Sequence, residues 1–208
     1  MISLFYSRRY VVKFVFFFLY SSVLCSSLCA TPDIQNRFIR NTIDHFLSIK
    51  TIHGDFIQKD ELGNIVRGEF FMARPGQLYF KYSSPSSIHV ISDGSNIAIY
   101  NPKLDTWSVY PIINTLFGVV FSDKRSELED SIHSIEINDK FITILFKNNY
   151  KKNVISMTFS RASYRLINWN IIDNFGRSTL VEILKYKENI ALKSELFVIP
   201  YDKIHNIG

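Results

Sequence analysis

Phe70-Phe71-Met72-Ala73-Arg74-Pro75-Gly76-Gln77-Leu78-Tyr79-Phe80-Lys81-Tyr82 is the stretch on which the reading of this chain turns. Two short runs flank an Arg-Pro-Gly turn. If the first run is a strand, alternation puts Phe70, Met72 and Arg74 on one face. Beyond the turn, Leu78, Phe80 and Tyr82 share a face. An arginine at the end of an apolar face is costly unless something pairs with it. The rest of the chain has to supply what that face holds and what Arg74 does beside it.

Outward from this turn the sequence keeps a period of two. Ile52–Lys59, Ile65–Arg74, Gln77–Ser83, Ile88–Ser92, Asn96–Asn101 and Asp105–Tyr110 read as strands. Asp93-Gly94 joins two of them as a tight hairpin, because both residues tolerate positive φ. Later, Ile132–Asn138, Phe141–Lys147, Val154–Ser160, Leu166–Asp173 and Arg177–Lys187 continue the pattern, and Glu195–Ile199 is expected to close it. Ile155, Met157 and Phe159 alternate cleanly with Ser156, Thr158 and Ser160; Arg177–Lys187 alternates less well. Roughly ten short strands with tight turns predict a mainly β, antiparallel sheet curled into a sandwich or barrel.

Such a sheet has one apolar face and needs a cover. Thr31-Pro32-Asp33 has the chemistry of a helix start. Ile34, Phe38, Ile39, Ile43, Phe46 and Leu47 then recur at helical spacing, predicting a helix over 33–49. After Pro111, an even apolar run from Ile112 to Phe121 includes Leu116 and Phe117. It reads as a second short helix, with a buried strand as the alternative, because Gly118 and the β-branched residues weaken helix.

The first residues are of another kind. Arg8, Arg9 and Lys13 precede Phe14-Val-Phe-Phe-Phe-Leu-Tyr20 and then small residues up to Cys29-Ala30. Residues 1–29 are expected to be a secretory signal peptide, leaving 30–208 as one domain. An uncleaved anchor and a twin-arginine export route are the other readings. Neither cysteine, Cys25 or Cys29, follows the small residues of a lipoprotein signal, and cleavage leaves a chain without cysteine. The formal charge of +5 falls to +2 once those three basic residues go, which removes the case for nucleic-acid binding.

Catalytic and metal chemistry find no footing. His45, His53, His89, His133 and His205 show no metal-ligand spacing. There is no Gly-rich phosphate loop and no nucleophile elbow. Asp55 and Asp60 read as solvated carboxylates. Trp107 and Trp169 could stack a sugar or base, but packing is the plainer reading. The expectation is a non-enzymatic protein with no catalytic residue, metal or cofactor.

Phe56-x-Gln58, Gly68, Arg74-Pro75-Gly76, Phe80-x-Tyr82-x-x-Pro85, Ser92-Asp93-Gly94 and Tyr100-Asn101-Pro102, in that order, resemble the LolA family of periplasmic outer-membrane lipoprotein carriers. Trp169-x-x-x-Asp173-x-x-Gly176 looks like the alphaproteobacterial variant. The resemblance covers about residues 33–200. One departure is Leu116 after Thr115, where many members have proline.

The resemblance implies an incomplete antiparallel β-barrel of ten to eleven strands covered by two or three helices, with an apolar cavity for acyl chains. It implies a monomeric periplasmic chaperone with acylated lipoproteins as partners. These would be received from an inner-membrane ATP-driven release complex and passed to an outer-membrane acceptor or to the outer membrane itself. It maps the cavity lining to Phe70, Met72, Leu78 and Phe80, and the covering helices to Phe38, Phe46, Leu116 and Phe117. Arg74 then becomes a latch bonded to backbone in the cover, against the plainer reading of a charge solvating a strand end. A lipid-binding sensor or outer-membrane acceptor of the same fold, or a secreted glycan-active enzyme, are the competing expectations.

Overall fold

The structure is a computed structural model, and it describes residues 32–112, 116–147 and 153–205. The expected signal peptide, and Thr31 as a helix cap, lie outside the described residues. Thr31–Gly208 forms one compact unit with its own hydrophobic core.

Eleven strands form a single antiparallel sheet. They are β1 (Thr51–Asp60), β2 (Ile65–Ala73), β3 (Gln77–Tyr82), β4 (His89–Asp93), β5 (Asn96–Asn101), β6 (Thr106–Pro111), β7 (Ile132–Ile137), β8 (Phe141–Lys147), β9 (Val154–Ser160), β10 (Leu166–Ile172) and β11 (Ser178–Glu188). The spatial order is β6-β5-β4-β3-β2-β1-β11-β10-β9-β8-β7, so β1 pairs with β11 at the centre and β6 and β7 are open edges. The barrel is therefore incomplete. The chain crosses between its two edges through α2 (Leu116–Val120) and α3 (Arg125–Asp130).

One face of the sheet carries the core. Phe56, Phe70, Met72, Leu78, Phe80, Ile142, Ile144, Phe146, Ile155, Met157, Phe159, Trp169 and Val181 are buried there. α1 (Pro32–Ser48) and α2 cover it. From α1 come Ile43 and Phe46, with Phe38 and Ile39 partly buried; from α2 come Leu116 and Val120, with Phe117 partly buried. Phe46 meets Phe159 edge-on at 5.6 Å, so α1 is bonded to the sheet by ring packing.

The imperfect alternation of β11 has a local cause. Asp55 pairs with Lys185 but Phe56 with Ile183, so Leu184 is an extra, exposed residue. This bulge flips the phase of the strand, and Tyr186 turns toward the core although it is three residues from Ile183.

Three sequence expectations need correction. The second helix spans only Leu116–Val120; Ile112 precedes it as a buried loop residue, and residues 113–115 are outside the described set. α3 was not expected, because it carries a single apolar anchor, Leu128, and one buried residue makes no periodicity. Glu195–Ile199 is not a strand. Ser194–Phe197 is a 3-10 helix packed on β3 and β4, followed by α4 (Tyr201–His205). Phe197 and Ile199 do alternate and are buried, but outside the core cluster. The Tyr201 hydroxyl donates to the Asp93 carboxylate at 2.7 Å, and the Asn96 amide donates to it at 2.8 Å. This segment lies across the far face of the sheet and so joins no ladder.

Gly68 shows how tightly the sheet is built. It stands between Phe56 and Tyr82 in register, and those two rings meet edge-on at 5.2 Å. A Cβ there would lie 2.3 Å from the Lys81 carbonyl oxygen and 2.7 Å from the Phe56 ring. Gly68→Ala is expected to destabilise the fold by about 1–3 kcal/mol through overpacking, read from urea unfolding midpoints. An unchanged midpoint would mean that β2 and β3 can part at this point without cost.

Candidate functional site

The site is built where α1, the β2–β3 turn and α2 meet. Any α-helix ends with carbonyls that have no partner in the helix. Those at the ends of α1 and α2 converge on Arg74. Its Nε donates to the Ile49 carbonyl at 3.1 Å, and Nη2 to Phe46 at 3.3 Å. Nη1 donates to Val120 at 3.4 Å and to Ser122. The guanidinium also lies 4.4 Å over the Phe46 ring. One planar fork with five donors thus joins two covering elements to the sheet, which a lysine point charge could not do with the same geometry.

The backbone of the turn adds to this. The Arg74 N–H donates to the Lys50 carbonyl, and the Gly76 N–H to Phe121, both at 2.9 Å. Ser92 Oγ donates to the Gly76 carbonyl at 2.8 Å and accepts from Gly94 N–H. A Cβ on Gly76 would meet Gly94 Cα at 3.1 Å, so the Arg-Pro-Gly and Ser-Asp-Gly motifs are in direct contact. At the other end of the same strands the Tyr82 hydroxyl donates to Gln58 at 2.6 Å, which joins two more of the motifs. Burial pushes Tyr82 up to about 12, so it stays a neutral donor.

Burial also pushes Arg74 down to about 10, with Asp123 working the other way. A guanidinium held at that value remains charged across neutral pH. Its folded form is less favourable to charge than water is, so the bonds to the four carbonyls must offset desolvation.

The four sequence-selected lining residues, Phe70, Met72, Leu78 and Phe80, are brought together beneath this turn and are 7% exposed or less. Phe70 and Phe80 stack at 5.6 Å. Phe46 and Leu116 are buried over the same face, Phe38 and Phe117 partly so. Phe38 sits farther along α1 under the Arg161 guanidinium, at 4.5 Å. Sequence reading missed Trp169 as part of this group. It is 3% exposed, with ring centroids 6.1 Å from both Phe70 and Phe80 and 6.5 Å from Phe121. Its place beside Val181 and Met157 in the register was the available signal. Trp107, by contrast, stacks on Tyr100 at 4.5 Å on a half-exposed face.

These side chains are buried beneath the covering helices. Two open clefts lie on the surface. One of about 370 Å³ is bordered by Asp55, Arg67, Glu69, Lys81 and Leu184, and one of about 360 Å³ by Pro75, Gly76, Gly94, Gly118 and Ser122. The second runs along the outside of the seam that Arg74 closes. Among the described residues no group of three or more His, Cys, Asp or Glu could hold a metal ion. No helix among them is long and apolar enough to cross a membrane.

The family model for the outer membrane lipoprotein carrier protein LolA matches residues 47–200. The chain belongs to this family. The outer-membrane lipoprotein carrier protein of Halorhodospira halophila is 25% identical over 165 residues, covering 74% of this chain and 77% of that one. The corresponding protein of Histophilus somni is 25% identical over 185 residues and covers 84% of each. Among solved structures, a LolA superfamily protein from Nitrosomonas europaea aligns with a TM-score of 0.44 at 7% identity, over 78% of this chain and 98% of that one.

Trp169 reports on the seam. In a Trp107→Phe background, Arg74→Leu is expected to raise acrylamide quenching of Trp169 emission at least about twofold, because charged hydrogen bonds worth roughly 1.5–3 kcal/mol each are lost from the cover. Equal quenching in the two proteins would mean that apolar packing alone keeps the cover shut.

Proposed function

We propose that the protein is a periplasmic chaperone that carries lipoproteins by their acyl chains. The observation that carries this reading is Arg74, a guanidinium bonded to carbonyls of two covering elements over a face that is otherwise apolar. A charge taken from water to hold a cover is poor economy for stability alone, since a hydrophobic residue of the same volume is often as good or better. It makes sense where the cover has to open and re-form.

In this reading Phe70, Met72, Leu78 and Phe80 line the lipid site. Phe38, Phe46, Leu116 and Phe117 are the lid, and Arg74 is the latch of the empty state. No residue performs covalent chemistry. Residues 1–29 serve as the export signal. The protein receives lipoproteins from an ATP-driven complex in the inner membrane and delivers them to an acceptor or directly to the outer membrane.

The burial of the four lining residues under α1 and α2 fits a carrier in its closed form. Burying an acyl chain gives ~0.8 kcal/mol per methylene, so twenty methylenes give roughly 16 kcal/mol. That is close to the tightest non-covalent binding known, about 18–21 kcal/mol, and such a complex would not release its cargo. Cargo must first break the Arg74 bonds and separate Phe46 from Phe121 and Phe159, which lowers the net affinity in proportion to the rarity of the open state.

Arg74→Leu removes the bonds that favour the empty, closed form. It is expected to slow transfer of an acylated lipoprotein to outer-membrane vesicles at least about tenfold, with loading retained. Transfer at the normal rate would sink the latch. Native mass spectrometry of protein taken from the periplasm tests the wider reading: acylated protein should co-purify, and its absence would remove the case for a carrier.

A further inference from the structure

The β1–β2 and β10–β11 turns, at the end of the sheet away from Arg74, are built alike. Asp60-Glu61-Leu62-Gly63-Asn64 and Asp173-Asn174-Phe175-Gly176-Arg177 each begin with aspartate and place glycine fourth, at φ +82° in both. In each the aspartate N–H donates to the carbonyl of the fifth residue, and the glycine N–H to the aspartate carbonyl. The carboxylate takes further donors: Leu62 and Asn64 N–H with the Asn64 amide on Asp60, and Phe175 and Arg177 N–H with the Arg177 guanidinium on Asp173. The third residue is left pointing away from the protein. Leu62 is 82% exposed and Phe175 84%, and Ile65 beside Leu62 is 54% exposed.

The two turns are neighbours, since Asp60 pairs with Thr179 across β1 and β11. We propose that they form one membrane-seating device, in which Leu62 and Phe175 enter the interfacial layer of a lipid bilayer.

Three features choose a bilayer over a protein. Large apolar side chains at turn tips form no groove, and Leu62, Ile65 and Phe175 together offer about 500 Å² against roughly 800 Å² per partner in a stable protein interface. In each turn four of the five backbone N–H groups are already bonded within the turn, all but that of the second residue, which lowers the cost of entering a medium poor in water. Arg177 is paired with Asp173 at 2.6 Å and lies 5.1 Å over the Phe175 ring, which lets its charge stay at the headgroup level while the ring goes deeper. At the two turns Lys59, Arg67 and Arg177 equal Asp60, Glu61 and Asp173 in number, so their seating depends more on apolar contact than on anionic lipid.

This inference does not rest on the carrier reading, because vesicles without acylated protein test it separately. The chain from Thr31 is floated with phosphatidylcholine vesicles. The wild type should float, and Leu62→Ser/Phe175→Ser should lower the bound fraction at least about tenfold. The double variant should keep its thermal midpoint, since neither side chain is buried. Raising salt tenfold should change binding less than about twofold. A wild type that stays with the soluble fraction, or a double variant that floats equally well, overturns the proposal. So does a wild-type dimer that the double variant turns into a monomer in sedimentation, since the tips would then join two copies of the chain.

Discussion

The structure depends on where the loose carbonyls of α1 and α2 end. A sheet with one apolar face will bury that face under anything apolar, and ring packing such as that of Phe46 on Phe159 does not by itself specify where α1 and α2 end. What ties their ends together is a shared acceptor problem. The carbonyls of Phe46 and Ile49 and those of Val120 and Ser122 face the same point, and Arg74 is there to donate to all of them. The arginine that looked costly at the end of the Phe70/Met72 face is compensated by groups that needed a donor as much as it needed acceptors.

Around that point the sequence motifs become one object. Ser92 holds the Gly76 carbonyl, Gly94 leaves room for Gly76, and Gly76 N–H holds Phe121. Phe70, Phe80 and Phe121 surround Trp169. At the other end Gly68 lets the Phe56 and Tyr82 rings meet, and Tyr82 donates to Gln58. Residues that are far apart along the chain are thus paired across β1, β2, β3 and β4, so their order in the sequence reflects the order of the strands.

Much of this was legible because alternation is a strong signal when one face is buried. Phe70, Met72, Leu78 and Phe80 share a face for the same reason that Ile155, Met157 and Phe159 do. What escaped notice lacked a period or had a misleading one. Leu128 alone anchors α3. The bulge at Leu184 breaks the phase of β11, and no residue type announces it. Phe197 and Ile199 have the alternation of a strand, but burial against the far face of a sheet produces the same pattern as membership in it. The resemblance pointed Arg74 to backbone in the cover, but which carbonyls accept from it could not be read, since a carbonyl oxygen has no letter in the sequence.

The topology decides what can move. Ladder bonds join every strand to its neighbours, through hairpins except at the central β1–β11 pair, and the crossing between the open edges runs from β6 through α2 and α3 to β7. α1 precedes β1 and belongs to no ladder. Displacing either helix costs the Arg74 bonds, the Gly76–Phe121 bond and the Phe46 ring contacts, but no strand pairing. A fully closed barrel would have had to break ladder bonds to admit anything of size. With β6 and β7 unpaired and bridged by helices, the helices are held by side-chain and cap contacts and by the apolar residues they bury, and not by ladder bonds. The interaction with the most partners among these is a single arginine, Arg74, which bonds carbonyls at the ends of both helices.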